Sequence, residues 1–243
     1  MDLIPMDLIP MDLIPMDLIP IFWATATLAI VAISAILATR HGVEIAVGVF
    51  ASLTVLANLI AAKTIVFGPF IAPAAVLVYA STFLMTDILS EIFGKEKARL
   101  AVWTGFVANL VMLVSVLIAV RWSASPVMDP DLARSFDAVF GFAPRVIAAS
   151  MLAYLVSQHH DVWAYGFWRD KTGGRRLWLR NNASTMVSQA IDTLIFISLA
   201  FYGLLPNSVL VQMMVGQYAI KLLIAALDTP FMYLAVAAAR RAE

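Results

Sequence analysis

Ionisable side chains within apolar stretches are the residues of this sequence best suited to chemistry. They are Lys63, Asp87, Asp161, Asp192, Lys221 and Asp228, with Glu91 at the edge of a stretch. One Asp, Lys or Arg at the centre of a membrane helix costs about 2.5–3.5 kcal/mol on insertion scales. Such residues usually face a bundle interior or a wet cavity and mark a transport path. The alternative is structural: an Asp–Lys pair that joins two helices without contacting a ligand.

Residues 177–193 contain the densest set of polar side chains. At about 100° per residue, these side chains share one half of a helical wheel. They are Asn181, Asn182, Ser184, Thr185, Ser188, Gln189, Asp192 and Thr193. Apolar residues occupy the other half, so in a membrane the polar half is expected to face other helices.

Two other segments show a similar polar face. Gln217, Lys221 and Asp228 fall within about 40° of one another, and Pro230 predicts a break in that helix. On another predicted helix, one half of the wheel contains Tyr79, Thr82, Thr86, Asp87, Ser90 and Glu91. Ser and Thr alone would also fit close helix packing, but the three faces together predict convergence on one polar region.

Composition places these faces in a membrane. Of 243 residues, 62% are hydrophobic and 13% charged, against about 25% charged in soluble domains. The sequence predicts an all-α, polytopic membrane protein with six to seven transmembrane helices. The candidate spans are residues 22–39, 45–67, 70–91, 98–121, 141–168, 182–204 and 208–238.

The first 20 residues are four copies of MDLIP. A proline in every copy breaks any helix, and the basic first region of a signal peptide is absent. Residues 1–20 are therefore expected to be a disordered or artefactual tail. Residues 21–243 are expected to form a single transmembrane transporter domain.

Basic residues predict the orientation. One side of the predicted bundle has Arg121, Arg134 and Arg145. The other has Arg40, Lys95, Lys97, Arg99, Arg169, Lys171, Arg175, Arg176, Arg180, Arg240 and Arg241. Because basic loops stay in the cytoplasm, the C-terminus is expected inside and the N-terminus outside, in a multi-pass protein of the inner (plasma) membrane.

Depth along the helices separates two groups of polar residues. Asp192 lies about 18 Å from the inner edge, near the midplane, at 1.5 Å per residue. Lys221 and Asn58 are expected at a similar depth, and Lys63 nearer the outer surface. The cytoplasmic half contains Asp87, Glu91, His159, Asp161 and Asp228, which predicts a central solute site with an exit path.

Enzymatic and metal chemistry find little support in the motifs. The sequence has no HExxH, GxSxG or glycine-rich phosphate loop and no cysteine. Asp87 and Glu91 are four residues apart, a spacing that suits a two-carboxylate metal site. His159 and His160 lie about 100° apart on a helix, which disfavours a shared ion. We therefore expect no catalytic residue, no metal and no cofactor.

Four segments resemble the queuosine-precursor transporter family, also called the vitamin-uptake-like (VUT) family. They are NLIAAKTIVFGPF (58–70), TFLMTDILSEIFGKEKAR (82–99), QHHDVWAYGFWRDKTGGRRLWLRNNASTMVSQAIDT (158–193) and YAIKLLIAALDTPFMYL (218–234). The resemblance implies uptake of 7-cyano-7-deazaguanine or 7-aminomethyl-7-deazaguanine, two precursors of a modified tRNA base. It implies a small-molecule partner and the lipid bilayer, with a homodimer left open and no nucleic-acid partner.

A deazaguanine suggests roles for the polar residues. Its N–H groups suit the Asp192 carboxylate, and its carbonyl suits Lys221 or an amide. Phe196 or Tyr218 would supply stacking. The expected substrate-binding set is Asn58, Gln158, Asn182, Ser188, Gln189, Asp192, Gln217 and Lys221. Proton coupling or gating is expected of Asp87, Glu91, His159, Asp161, Arg180 and Asp228.

The energy source stays open at the level of sequence. The chain has no ATP-binding motif, so it works as a secondary transporter or facilitator, or with a separate energising complex. The second alternative makes it a substrate-capture subunit for a vitamin, working with an ATPase module.

Overall fold

Eight α-helices and one β-hairpin make up the described part of the chain. The computed structural model describes residues 18–61, 63–67, 70–141 and 144–241. Nearly all of the MDLIP repeat, residues 1–17, lies outside the described residues. The elements are α1 (Ile19–His41), α2 (Glu44–Ile60), β1 (Thr64–Phe67), β2 (Phe70–Pro73), α3 (Ala75–Ile92), α4 (Lys95–Arg121), α5 (Pro130–Phe140), α6 (Pro144–Lys171), α7 (Leu177–Phe201) and α8 (Asn207–Arg240).

Most of these helices have the length and composition of membrane spans. Among the described residues, six helical segments are long and apolar enough to cross a bilayer, which needs about 20 residues. They contain α1, α3, α4, α6, α7 and α8. Helix α2 is apolar too, but has 17 residues. The predicted all-α polytopic fold is confirmed.

The hairpin corrects two of the predicted spans. Helix α2 ends at Ile60, not at residue 67, and α3 begins at Ala75, not at residue 70. Strands β1 and β2 pair antiparallel between them, because β-branched residues and Pro73 disfavour helix. Pairing satisfies the strand backbone, as membrane depth requires. Lys63 lies in the connection before β1 and is exposed, so its prediction as part of a helical span was wrong.

Helix α3 lies at the centre of the bundle. It contacts α1, α2, α4, α6, α7 and α8, and every residue from 81 to 90 is buried. Helix α8 passes Pro230 as one continuous helix, so the predicted break was wrong. These two helices provide the rigid frame for the polar residues of the interior.

The polar half of α7 faces inward. Its buried residues are Leu177, Arg180, Asn181, Ser184, Thr185, Ser188, Gln189, Asp192, Thr193, Ile197 and Ala200. Met186, Val187 and Leu194 are exposed on the opposite side. This arrangement is the reverse of a soluble helix and confirms that residues 177–193 direct their polar face into the bundle.

Candidate functional site

A cavity of about 860 Å³ occupies the half of the bundle nearest the β-hairpin. Its size lies within the range of about 300–1,000 Å³ typical of small-molecule sites. The wall is largely apolar and comes from the hairpin, the C-terminal parts of α2 and α7 and the N-terminal parts of α3, α6 and α8. The polar lining residues are Asn58, Tyr79, Ser150, Asp192, Gln212, Gln217 and Lys221.

The floor of the cavity is a buried ion pair. Lys221 Nζ lies 2.5 Å from Asp192 Oδ2 and 3.3 Å from Thr193 Oγ1. The Tyr79 hydroxyl donates to Asp192 Oδ1 at 2.8 Å, and Ser157 Oγ donates to the same oxygen at 3.1 Å. Helices α3, α6, α7 and α8 therefore meet at one carboxylate, with opposite charges presented to the cavity.

Tyr79 and Ser157 were missed as site residues from the sequence. Tyr79 lies on the polar face predicted for α3, and that face was the signal that could have identified it. Ser157 precedes Gln158 but carries no distinguishing pattern, since small hydroxyl residues are common where membrane helices pack.

Two of the three amides on the cavity wall, Asn58 and Gln217, differ in their availability. Asn58 already donates to Asn109 Oδ1 at 2.6 Å and to the Thr54 carbonyl, and it accepts from Ser150. In contrast, Gln217 Oε1 is buried without a hydrogen-bond partner among the described residues. A buried acceptor left unsatisfied costs about 1–3 kcal/mol, so Gln217 is the amide better poised to accept from a solute.

A hydrogen-bonded layer lies directly below the floor. Gln158 Nε2 donates to Thr82 Oγ1 at 2.8 Å, and Thr86 Oγ1 reaches both Gln158 Oε1 at 3.3 Å and Asp161 Oδ2 at 3.1 Å. Thr185 donates to Asp87 Oδ2 at 3.2 Å. All these side chains are buried, so the layer separates the cavity from the other end of the bundle.

Contacts of α7 with α8 and α6 continue this layer. Asn181 Nδ2 donates to Asp228 Oδ1 at 2.8 Å, and Asn182 Nδ2 to Thr229 Oγ1 at 2.9 Å. His160 Nδ1 and Ser188 Oγ are 2.9 Å apart. The Gln189 amide is buried and has no partner for its nitrogen or its oxygen in the described part of the chain.

Arg180 and Glu91 close the end of the bundle opposite the hairpin. Arg180 NH2 lies 2.5 Å from Glu91 Oε1, and the Tyr165 hydroxyl donates to Glu91 Oε2 at 2.9 Å. The Arg169 guanidinium is 3.9 Å from the same carboxylate. Arg180 also donates to the carbonyls of Gly174 and Arg175. We call Glu91, Tyr165, Arg169 and Arg180 the inner lock.

A glycine turn positions Arg180 in the inner lock. Gly173 and Gly174, between α6 and α7, have φ values of 56° and 74°, a region that glycine adopts without steric penalty. The turn reverses the chain and directs the Gly174 carbonyl toward the Arg180 guanidinium. The turn between α6 and α7 and the first turns of α7 thus form one hydrogen-bonded unit.

The structure divides the predicted binding residues into two groups. Asn58, Asp192, Gln217 and Lys221 line the cavity together with Phe196. Those away from the cavity lining are Gln158, Asn182, Ser188 and Gln189. Tyr218 lies elsewhere and donates to the Met186 carbonyl.

The predicted coupling and gating residues lie below the cavity. Asp87, Asp161 and Asp228 are in the buried layer, and Glu91 and Arg180 form the inner lock. His159 packs edge-on against Trp103, 5.3 Å between ring centroids. Within the described residues, no group of three or more His, Asp or Glu side chains is arranged to hold a metal ion.

Comparison with known proteins places this architecture in a family. Residues 73–235 match the model of a family described as "Putative vitamin uptake transporter". A "Probable queuosine precursor transporter" of Bacillus subtilis is 37% identical over 183 residues, which are 75% of this chain and 79% of that protein. No solved structure matches the chain.

Two more relatives align over shorter segments. The Haemophilus influenzae "Probable queuosine precursor transporter" is 32% identical over 52% of this chain and 50% of its own length. The Escherichia coli "Queuosine precursor transporter" is 33% identical over 49% of this chain and 51% of its own length. The resemblance predicted from the four sequence segments is confirmed: this chain belongs to the vitamin uptake transporter family, together with these queuosine precursor transporters.

Proposed function

We propose that this protein transports a queuosine precursor, 7-cyano-7-deazaguanine or 7-aminomethyl-7-deazaguanine, across the plasma membrane. The cavity with the Asp192–Lys221 ion pair at its floor is the observation that carries the proposal. The relatives are named as queuosine precursor transporters, which supports transport over an enzymatic reaction. The chain would therefore release its solute chemically unchanged.

The floor of the cavity suits the edge of a deazaguanine ring. The ring N–H and the exocyclic amine are donors, and the Asp192 carboxylate and Gln217 Oε1 are acceptors at the cavity. Lys221 supplies a donor for the ring carbonyl. Phe196 lies in the apolar wall, where an aromatic face can stack on a planar ring. Asn58 shapes the wall through its bonds to Asn109 and Ser150.

The closed inner lock and the cavity on the hairpin side suggest alternating access. In this conformation the solute site is separated from the Arg180 end by the buried polar layer and the inner lock. Release on that side requires the lock to open and α7 to shift against α3 and α6. Gln189, which is buried without partners among the residues that the structure describes, would then meet the solute on its way, as would Asn182 and Ser188.

We further propose that the Arg180 end faces the cytoplasm, as the distribution of basic residues suggests. Single cysteines test this orientation cleanly, since the chain has none of its own. Asp137→Cys on α5 is expected to react with an impermeant maleimide in intact cells. Lys97→Cys on α4 is expected to react only after permeabilisation. Both positions are exposed, and the reverse pattern would overturn the orientation.

Transport itself is tested with the purified full chain in liposomes. We expect saturable entry of labelled deazapurine, inhibited by the unlabelled compound and absent from protein-free liposomes. A chemically altered product would support an enzyme instead. Entry that appears only after addition of an ATPase complex would favour a substrate-capture subunit. Complementation of a strain unable to make the precursor, with tRNA modification as readout, decides which compound is preferred.

A further inference from the structure

Three carboxylates are buried in the layer between the cavity and the inner lock. Asp87 on α3, Asp161 on α6 and Asp228 on α8 are each fully inaccessible to solvent. No Lys, Arg or His lies within ion-pair distance of any of them among the described residues. Burying an isolated ionised carboxylate is strongly unfavourable, so the layer has a shortage of positive charge.

Asp87 and Asp161 belong to the same buried layer: Thr86, which precedes Asp87 on α3, lies 3.1 Å from Asp161 Oδ2, and Asp87 Oδ2 accepts from Thr185 at 3.2 Å. Two buried acceptor-only carboxylates in one layer repel each other when both are ionised. A single proton between them converts the repulsion into a hydrogen bond, as in other carboxylate pairs that share a site. The neighbouring hydroxyls of Thr86 and Thr185 each bond one of these carboxylates and cannot neutralise the charge.

Buried polar atoms without hydrogen-bond partners also indicate that a proton binds in this layer. Asp161 Oδ1, Asp228 Oδ2 and Asn181 Oδ1 are buried and have no hydrogen-bond partner in the described part of the chain. All three are acceptors, and the unpaired donor Gln189 Nε2 bonds none of them, so these three atoms lack a donor. Buried polar groups are normally satisfied. A bound proton supplies a missing donor, and its release removes that donor again.

Charged groups elsewhere do not substitute for the proton. Helix α7 gives the Ser184 and Thr185 hydroxyls to Asp87 and the Asn181 amide to Asp228, and the His160 ring on α6 bonds Ser188. Lys221 pairs with Asp192, while Arg180 and Arg169 engage Glu91. Helices α1, α2 and α4 carry titratable residues only near their ends, where all are exposed: Arg40, His41, Glu44, Lys95, Glu96, Lys97, Arg99 and Arg121.

The carboxylate pair shares its helices with the cavity floor. Helix α3 holds Tyr79 and Asp87, and helix α6 holds Ser157 and Asp161. Between the two levels, the bonds of Gln158 and Thr86 form a bridge that ends on Asp161 Oδ2. A change in protonation at the pair therefore acts on the same two helices that hold the Asp192 carboxylate.

We propose that Asp87 and Asp161 bind one transported proton between them, and that its binding and release energise solute transport through the Asp192 cavity. Asp228, held by Asn181, is the neighbouring carboxylate that receives or supplies this proton. The inference rests on the proposed transport function and identifies its coupling ion. The proton crosses with the solute, entering from the cavity side and leaving past the inner lock.

Proteoliposomes separate coupling from transport. With an acidic exterior, the wild-type protein is expected to accumulate labelled deazapurine at least tenfold over the level without a pH gradient. Asp87→Asn and Asp161→Asn are expected to abolish this accumulation while still exchanging labelled for unlabelled solute at equal pH. The matched control is Asp170→Asn, an exposed carboxylate at the end of α6, which should accumulate like wild type.

A second readout does not depend on any variant. Adding solute to wild-type proteoliposomes at equal pH should acidify the lumen, as reported by a trapped pH dye. Exchange without a response to the pH gradient, or accumulation driven by sodium instead, would overturn the proton proposal and leave transport standing. Gradient-driven accumulation by both Asn variants would also overturn it. Absence of exchange by the wild-type protein would contradict the transport function itself.

Discussion

Replacing Asp192 by Asn is expected to lower the affinity for the deazapurine about ten- to hundredfold and to abolish uptake. The carboxylate accepts from Lys221, Tyr79 and Ser157 and offers its remaining acceptor capacity to the cavity. A hydrogen bond to a charged group contributes about 1.5–3 kcal/mol, and 2.8 kcal/mol corresponds to a hundredfold in affinity. Binding of labelled solute to the purified variant measures the loss.

Controls separate this role from structural pairing. Removing one partner of a buried ion pair costs about 3–5 kcal/mol, so Asp192→Asn alone could also weaken the fold. The double variant Asp192→Asn with Lys221→Met removes both charges and should recover thermal stability without recovering binding. If the double variant recovered binding as well as thermal stability, the Asp192–Lys221 ion pair would serve only to join α7 to α8. Asp137→Asn, on exposed α5, should bind like wild type.

Replacing Glu91 by Gln is expected to open the inner lock. The carboxylate is the only acidic group that contacts Arg180 within the described residues, and it also accepts from Tyr165. The neutral amide leaves a buried guanidinium without a counter-charge, a penalty of about 3–5 kcal/mol. A shift of that size changes a two-state population by more than a hundredfold.

Cysteine accessibility reports this opening. Ser184→Cys places one thiol in the buried layer, on a chain without other cysteines. An impermeant thiol reagent applied from the Arg180 end should modify it at least tenfold faster in the Glu91→Gln background. Glu96→Gln is the matched control, since Glu96 is exposed and pairs with Arg99 at the same end. Equal rates in both backgrounds would remove Glu91 from the gate.

Sequence reasoning succeeded where one local property decides the structure. The spacing of polar residues on α7 indicated its buried face, because a helical period of 3.6 places them on one side whatever the partner is. Low charge and long apolar stretches indicated membrane helices, since the bilayer sets their length. The sequence-based prediction of helix ends failed between residues 60 and 75, the region that includes Lys63. Two strands pair there, and such pairing is a contact between segments that leaves little local signal.

Sequence alone determined which side chains of this protein are too polar for their surroundings, and roughly at what depth they lie. Only the tertiary structure decided their partners. It paired Lys221 with Asp192, Arg180 with Glu91, and Asp228 with Asn181. It also left Gln217 available while engaging Asn58. The reason is physical: periodicity within a helix fixes the direction of a side chain, whereas its partner depends on how distant helices pack and rotate against one another.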